Sequence, residues 1–97
     1  MFLEIAHLVI KPGEESTFEQ QVAKAKPYFM AAKGCTGISL HRSVEHPEQY
    51  QLNVKWATVD NHMVDFRNSD GFQQWRALVG PHFASPPTVE HTHEITL

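Results

Sequence analysis

Phe2-Leu3-Glu4-Ile5-Ala6-His7-Leu8-Val9-Ile10 decides the fold. The stretch is rich in β-branched and bulky apolar residues and stops at Lys11-Pro12-Gly13, a strong breaker, so it reads as a strand. Side chains of a strand alternate between faces, and here both sets are apolar. Phe2, Ala6, Leu8 and Ile10 share one face, and Leu3, Ile5 and Val9 share the other. A strand greasy on both sides belongs to a sheet covered on both sides.

Outward from this strand, residues 14–33 read as a helix. Phe18, Val22, Ala25, Phe29 and Ala32 form one stripe at spacings of 4, 3, 4 and 3. Glu14 and Glu15 suit the positive end of its dipole, Gly34 ends it, and Pro27 is expected to kink it. Residues 36–46 and 49–57 read as a hairpin turning at Glu45-His46-Pro47-Glu48. Thr58 caps a short helix running to about Arg67, and Ser69 caps another carrying Phe72, Trp75 and Val79. Residues 88–96 alternate as a fourth strand. The order β-α-β-β-α-β predicts an α+β, ferredoxin-like fold, a four-stranded antiparallel sheet with helices on one face. The simplest cover for the other face is a second copy, which predicts a homodimer with a dimeric α/β barrel.

The chain has 97 residues, reads as a single domain over 1–97, and carries a formal charge of −3. Eight scattered basic residues against eleven acidic ones argue against nucleic acid or an anionic membrane as partner. No apolar run of about 18 residues and no leader pattern is present, and Cys35 is the single cysteine, which together predict a cytoplasmic protein without disulfides.

Several residues point to chemistry. His91 and His93, two apart on a strand, face the same way, and His7 on the first strand could join them as zinc or copper ligands, but the plainer reading of surface or interface histidines is preferred and no metal is expected. Trp56, at the end of the third strand, either walls a pocket or packs the core. Arg76 sits at the margin of an apolar helix stripe, where it snorkels to solvent or points a permanent cation inward. His62 titrates in the range a general base needs, although its place on a short helix reads first as exposed. No nucleotide-binding glycine loop and no Ser-His-Asp pattern occurs.

The stretches Gly34-Cys35 with Arg42-Ser43-Val44-Glu45-His46-Pro47, Val54-Lys55-Trp56, His62-Met63-Val64-Asp65-Phe66-Arg67, Phe72-Gln73-Gln74-Trp75-Arg76 and Pro86-Pro87-Thr88-Val89-Glu90-His91 together resemble the antibiotic biosynthesis monooxygenase domain family. The resemblance spans nearly the whole chain and implies a homodimer with a pocket between the sheet and helices of each subunit. In quinone-forming members, phenolic substrates are oxygenated by O2 without flavin, haem or metal, so no cofactor is implied. The tryptophan and arginine of that site fall on Trp56 and Arg76. The tyrosine falls on His62, and the asparagine on Leu52, while neighbouring Asn53 faces the other way. A haem-degrading branch uses an Asn, Trp and His set, and the corresponding positions near Ala6, Phe66 and Arg76 carry none of it. The expectation is a cofactor-independent monooxygenase acting on a small aromatic phenol, quinol or anthrone. His62, Arg76 and Trp56 are its catalytic candidates, and Leu52, Phe66, Phe72 and Ala6 are its substrate contacts. A non-catalytic binder of small aromatic ligands on the same scaffold is the alternative.

Overall fold

The first strand alternates as its sequence dictates. Our computed structural model describes residues 1–97, and in it β1 (Phe2–Val9) buries Glu4, Ala6 and Leu8 on one face while His7, opposite, is exposed. Ile10 lies just beyond, bridged to Phe83. Leu3, Ile5 and Val9 on the second face are only half-buried.

The order of elements is β1, α1 (Glu15–Met30), β2 (Cys35–Arg42), β3 (Gln49–Trp56), a π-helical segment (Asn61–Phe66), α2 (Asp70–Val79), a short 3-10 turn (Gly80–His82) and β4 (Thr88–His93). The sheet is antiparallel with strand order β2-β3-β1-β4. This is the ferredoxin-like arrangement.

The helices take the face of Ala6 and Leu8, and the core forms between them and the sheet. From α1 it receives Phe18, Val22, Ala25 and Phe29, the predicted stripe without its last member. From β3 it receives every second residue, Tyr50, Leu52, Val54 and Trp56, and from the later elements Phe66, Trp75 and Val79. Pro27 lies inside α1, one turn from its end. There its missing N–H and ring strain disturb few helical bonds. Gly34 follows at φ +80, a left-handed conformation that favours glycine, and turns the chain into β2.

α1 stops at Met30 and not near residue 33, and two strands also stop well short of the ends the sequence pattern suggests. β2 ends at Arg42, because Arg42 Nε donates to the Pro47 carbonyl at 2.6 Å and residues 43–48 form the turn. β4 ends at His93, where its pairing with Phe2, the first residue of β1, runs out. α2 begins as predicted, with Ser69 Oγ accepting from the Phe72 N–H at 3.2 Å.

Candidate active site

The segment after β3 sets the site. Thr58 and Asn61 cap each other reciprocally: Asn61 N–H donates to Thr58 Oγ1 and Thr58 N–H to Asn61 Oδ1, both at 3.1 Å. The helix then widens, and the Arg67 N–H reaches back five residues to the His62 carbonyl at 3.1 Å. Such π turns are rare and often mark functional positions. The widened turn faces His62 inward. Only 3 % of it is exposed, which corrects its reading as a surface residue. Its ring stacks on Trp56 with centroids 5.4 Å apart and planes 17° apart.

Beneath His62 lies Glu4, 4 % exposed, the one acidic side chain buried in the molecule. The β1–β4 register sets Glu4 opposite His91. Trp56 Nε1–H donates to Glu4 Oε1 at 2.9 Å, and His62 Nε2 stands 3.3 Å from the same oxygen. His62 Nδ1 meets His91 Nε2 at 2.8 Å. With a proton on His62 Nε2 aimed at the carboxylate, Nδ1 accepts from His91, so the three groups form a continuous chain. Glu4 Oε2 makes no hydrogen bond within the protein, yet no unpartnered polar side-chain atom is sealed from solvent. Oε2 is therefore the oxygen open to the neighbouring cavity.

Burial dominates the titration of both groups. It lifts the Glu4 carboxyl from 4.5 to about 7, against the opposing pulls of the Trp56 hydrogen bond and the Arg67 charge. It drops the His62 imidazole from 6.5 to about 4, helped by His91 and Arg67. At neutral pH His62 is uncharged and a weak proton acceptor, whereas Glu4 is poised between its two states.

The cavity, about 610 Å³, lies between the sheet and α2. Glu4, Ala6 and Leu8 line it from β1, His62 from the π segment, Arg67 from just after it, and Phe72, Trp75 and Arg76 from α2. Phe83, Pro86 and Pro87 from the chain leading into β4, and Val89 from β4 itself, close it. Arg76 holds its guanidinium 5.8 Å from the Phe72 ring centroid.

Of the residues singled out from the sequence, His62, Arg76, Phe72 and Ala6 reach this cavity. Trp56 is fully buried and acts on it only through Glu4 and His62. Phe66 packs behind it, between Phe29 at 4.8 Å and Phe72 at 5.7 Å. Leu52, 1 % exposed, belongs to the core and not to the lining, so its expected substrate contact is corrected. The imagined histidine set is also divided. His91 faces the helices, but His7 lies on the opposite face, bonded to Glu90 at 2.9 Å, and no three His, Cys, Asp or Glu side chains converge as a metal site. Glu4 and Arg67 were missed. For Glu4 the signal was present, since position 4 shares its parity with Ala6 and Leu8.

The antibiotic biosynthesis monooxygenase family profile matches residues 1–78. The chain belongs to that family. An uncharacterized protein of Bacillus subtilis strain 168, YczJ, is 37 % identical over 95 residues, covering 98 % of this chain and all of the relative. A solved structure from Bordetella bronchiseptica, named for the antibiotic biosynthesis monooxygenases, superposes with a TM-score of 0.96 at 55 % identity, covering 98 % of this chain and 97 % of the other. Rv0793 from Mycobacterium tuberculosis shares the fold at a TM-score of 0.81 with 19 % identity, over 99 % of this chain and 96 % of its own. Antibiotic biosynthesis monooxygenase membership thus agrees with the fold built above from residue patterns.

Proposed function

We propose that the protein is a monooxygenase that oxygenates an electron-rich phenol, quinol or anthrone with O2 as its only co-reactant, and that Glu4 takes the proton that starts the reaction. One observation carries this reading: a carboxyl group titrating near neutrality opens, through Oε2, onto an aromatic-walled cavity that also holds two guanidinium groups. A proton acceptor matched to the working pH is what the removal of a weakly acidic phenolic or benzylic proton requires. Arg67 favours the resulting anion, and Phe72 and Trp75 hold a flat ring out of water.

The reaction balances without a further reductant. For an anthrone, Glu4 accepts one hydrogen of the reacting CH2 as a proton, and the anion gives one electron to O2. The carbon radical and superoxide combine as a peroxide on that carbon. Cleavage of the O–O bond then expels water with the second hydrogen and the proton held by Glu4, and leaves a carbonyl. One oxygen atom is in the product and one is in water. The independence from flavin, haem and metal is carried over from the quinone-forming members that the sequence resembles.

An oxygen electrode with anthrone and a panel of hydroquinones tests the reading. The parent protein consumes one O2 per product, Glu4→Gln loses turnover by about 100-fold or more with its fold intact, and Arg67→Ala loses a comparable factor. Absence of protein-dependent O2 uptake across the panel removes the monooxygenase.

Leu52 favours a second reading, a non-catalytic binder of small aromatic ligands, because it places a sealed apolar side chain where quinone-forming members carry an asparagine. That reading expects the same compounds to raise the melting temperature without product or O2 loss.

We also propose that the working unit is a homodimer closed over the outer face of the sheet. Leu3, Ile5 and Val9, half-buried in the single chain, support this, since a second copy would remove their remaining apolar surface from water. Sedimentation at twice 11.1 kDa is the expected result, and a particle of 11.1 kDa overturns it.

A further inference from the structure

The cavity is positive in a chain that is negative. The charged side chains lining it are Glu4, Arg67 and Arg76, whereas the protein as a whole carries −3. Neither arginine has a carboxylate within 4.0 Å; the only arginine in an ion pair is Arg42, on the far side of the molecule with Glu15 and Glu19. Neither makes a hydrogen bond through its guanidinium. Permanent cations gathered at a cleft with low-dielectric walls focus their field into it and draw anions.

The two cations serve different ends of the space. Arg67 directly follows the π segment that carries His62, which stands 3.3 Å from Glu4 at the end where the proton is taken. Arg76 lies on α2 with its guanidinium 5.8 Å from the Phe72 ring centroid, and the Phe66 ring stands 5.7 Å from that ring and 6.5 Å from the His62 ring. A phenolate formed at Glu4 meets the charge of Arg67. Arg76 is left with the face of one aromatic ring and water. Its guanidinium lies 5.8 Å from the ring centroid, and such a planar fork matches a carboxylate with two parallel hydrogen bonds.

Building on the oxygenation reading above, we propose that the natural substrate is an aromatic acid, with its phenolic end at Glu4 and Arg67 and a carboxylate bound by Arg76. The ring between them lies against Phe72. The carboxylate contributes binding and orientation and takes no part in the electron flow.

Para-coumarate and its methyl ester test this by calorimetry on the full chain, because they share a rigid frame with a phenol at one end and differ in charge at the other. The acid is expected to bind about ten-fold tighter than the ester or better, with the preference shrinking as salt rises. Arg76→Gln is expected to bring the acid down to the ester's affinity while leaving the ester unchanged, and Arg76→Lys to keep part of the preference. Equal binding of acid and ester, a preference that survives Arg76→Gln, or binding of neither compound overturns the proposal. Arg76 is exposed on α2, so these variants leave the core untouched. O2 uptake on acidic and neutral quinols reads out the other reading separately. Selective binding without O2 consumption leaves the carboxylate subsite standing and removes the monooxygenase, whereas O2 consumption without acid preference does the reverse.

Discussion

Trp56 and Glu4 hold each other across the sheet: the indole N–H donates to Glu4 Oε1 at 2.9 Å in a place where neither residue has appreciable contact with solvent. The tryptophan therefore does not touch the cavity. It acts as a positioning residue that favours the ionised form of the carboxyl group, partly offsetting the effect of burial.

The first prediction concerns that bond. Trp56→Phe keeps an aromatic ring under His62 but removes the donor, so the Glu4 carboxyl moves further above about 7. The acid limb of the O2-uptake profile is expected to shift to higher pH, with the plateau rate changed much less than in Glu4→Gln. An unshifted limb would sink the role given to Trp56.

The second concerns the limb itself. With Glu4 as proton acceptor, kcat/KM rises with pH through about 7, the pH at which the carboxyl ionises. Glu4→Gln abolishes that limb together with most of the rate. His62 at about 4 predicts a limb nearly three pH units lower, so the midpoint tells the two candidates apart.

The third concerns stability. Between pH 4.5 and about 7 the folded chain keeps a proton on Glu4 that the unfolded chain has released, so raising the pH costs stability. Between about 4 and 6.5 the folded chain lacks a proton that unfolded His62 holds, so raising the pH gains stability. The two slopes oppose each other from 4.5 to 6.5, each at most about 1.4 kcal/mol per pH unit. Urea unfolding of the parent is expected to vary little from these two groups there. In Glu4→Gln stability rises with pH across that window, and in His62→Gln it falls.

The fourth concerns the turn under the site. Gly34 holds φ +80, and a Cβ built there would overlap Asn61 Oδ1, the atom that caps Thr58. Gly13 has φ +86 with open space around it. Gly34→Ala is expected to cost more than about 2 kcal/mol and to loosen the π segment, and Gly13→Ala about 1 kcal/mol, read as urea midpoints.

Periodicity made the fold legible. The 4-3-4 spacing in α1, the Ser69 cap and the strand alternation each reflect a local rule that tertiary packing reinforced. The site was less legible, because its chemistry depends on which face a residue takes and on contacts between distant segments. His62 looked exposed because its segment was read as a regular helix, and a π turn carries no periodic signature. His7 was grouped with His91 and His93 by strand adjacency, yet the β1–β4 register pairs His7 with Thr88 and turns its ring to the outer face. Leu52 entered through positional correspondence alone, and burial among the apolar side chains of the core claims it. Glu4 was hidden by the apolar company that makes its strand easy to recognise.

The widened turn at Asn61–Phe66 also gives the site a coarse adjustment of its orientation. Removing a single residue ahead of His62 would swing its side chain and those that follow by about 100°. The imidazole would leave the carboxylate while β1, β4 and their pairing stayed as they are. A shared scaffold can in this way gain or lose a proton-handling group through one small deletion, without any change to the strands that define it.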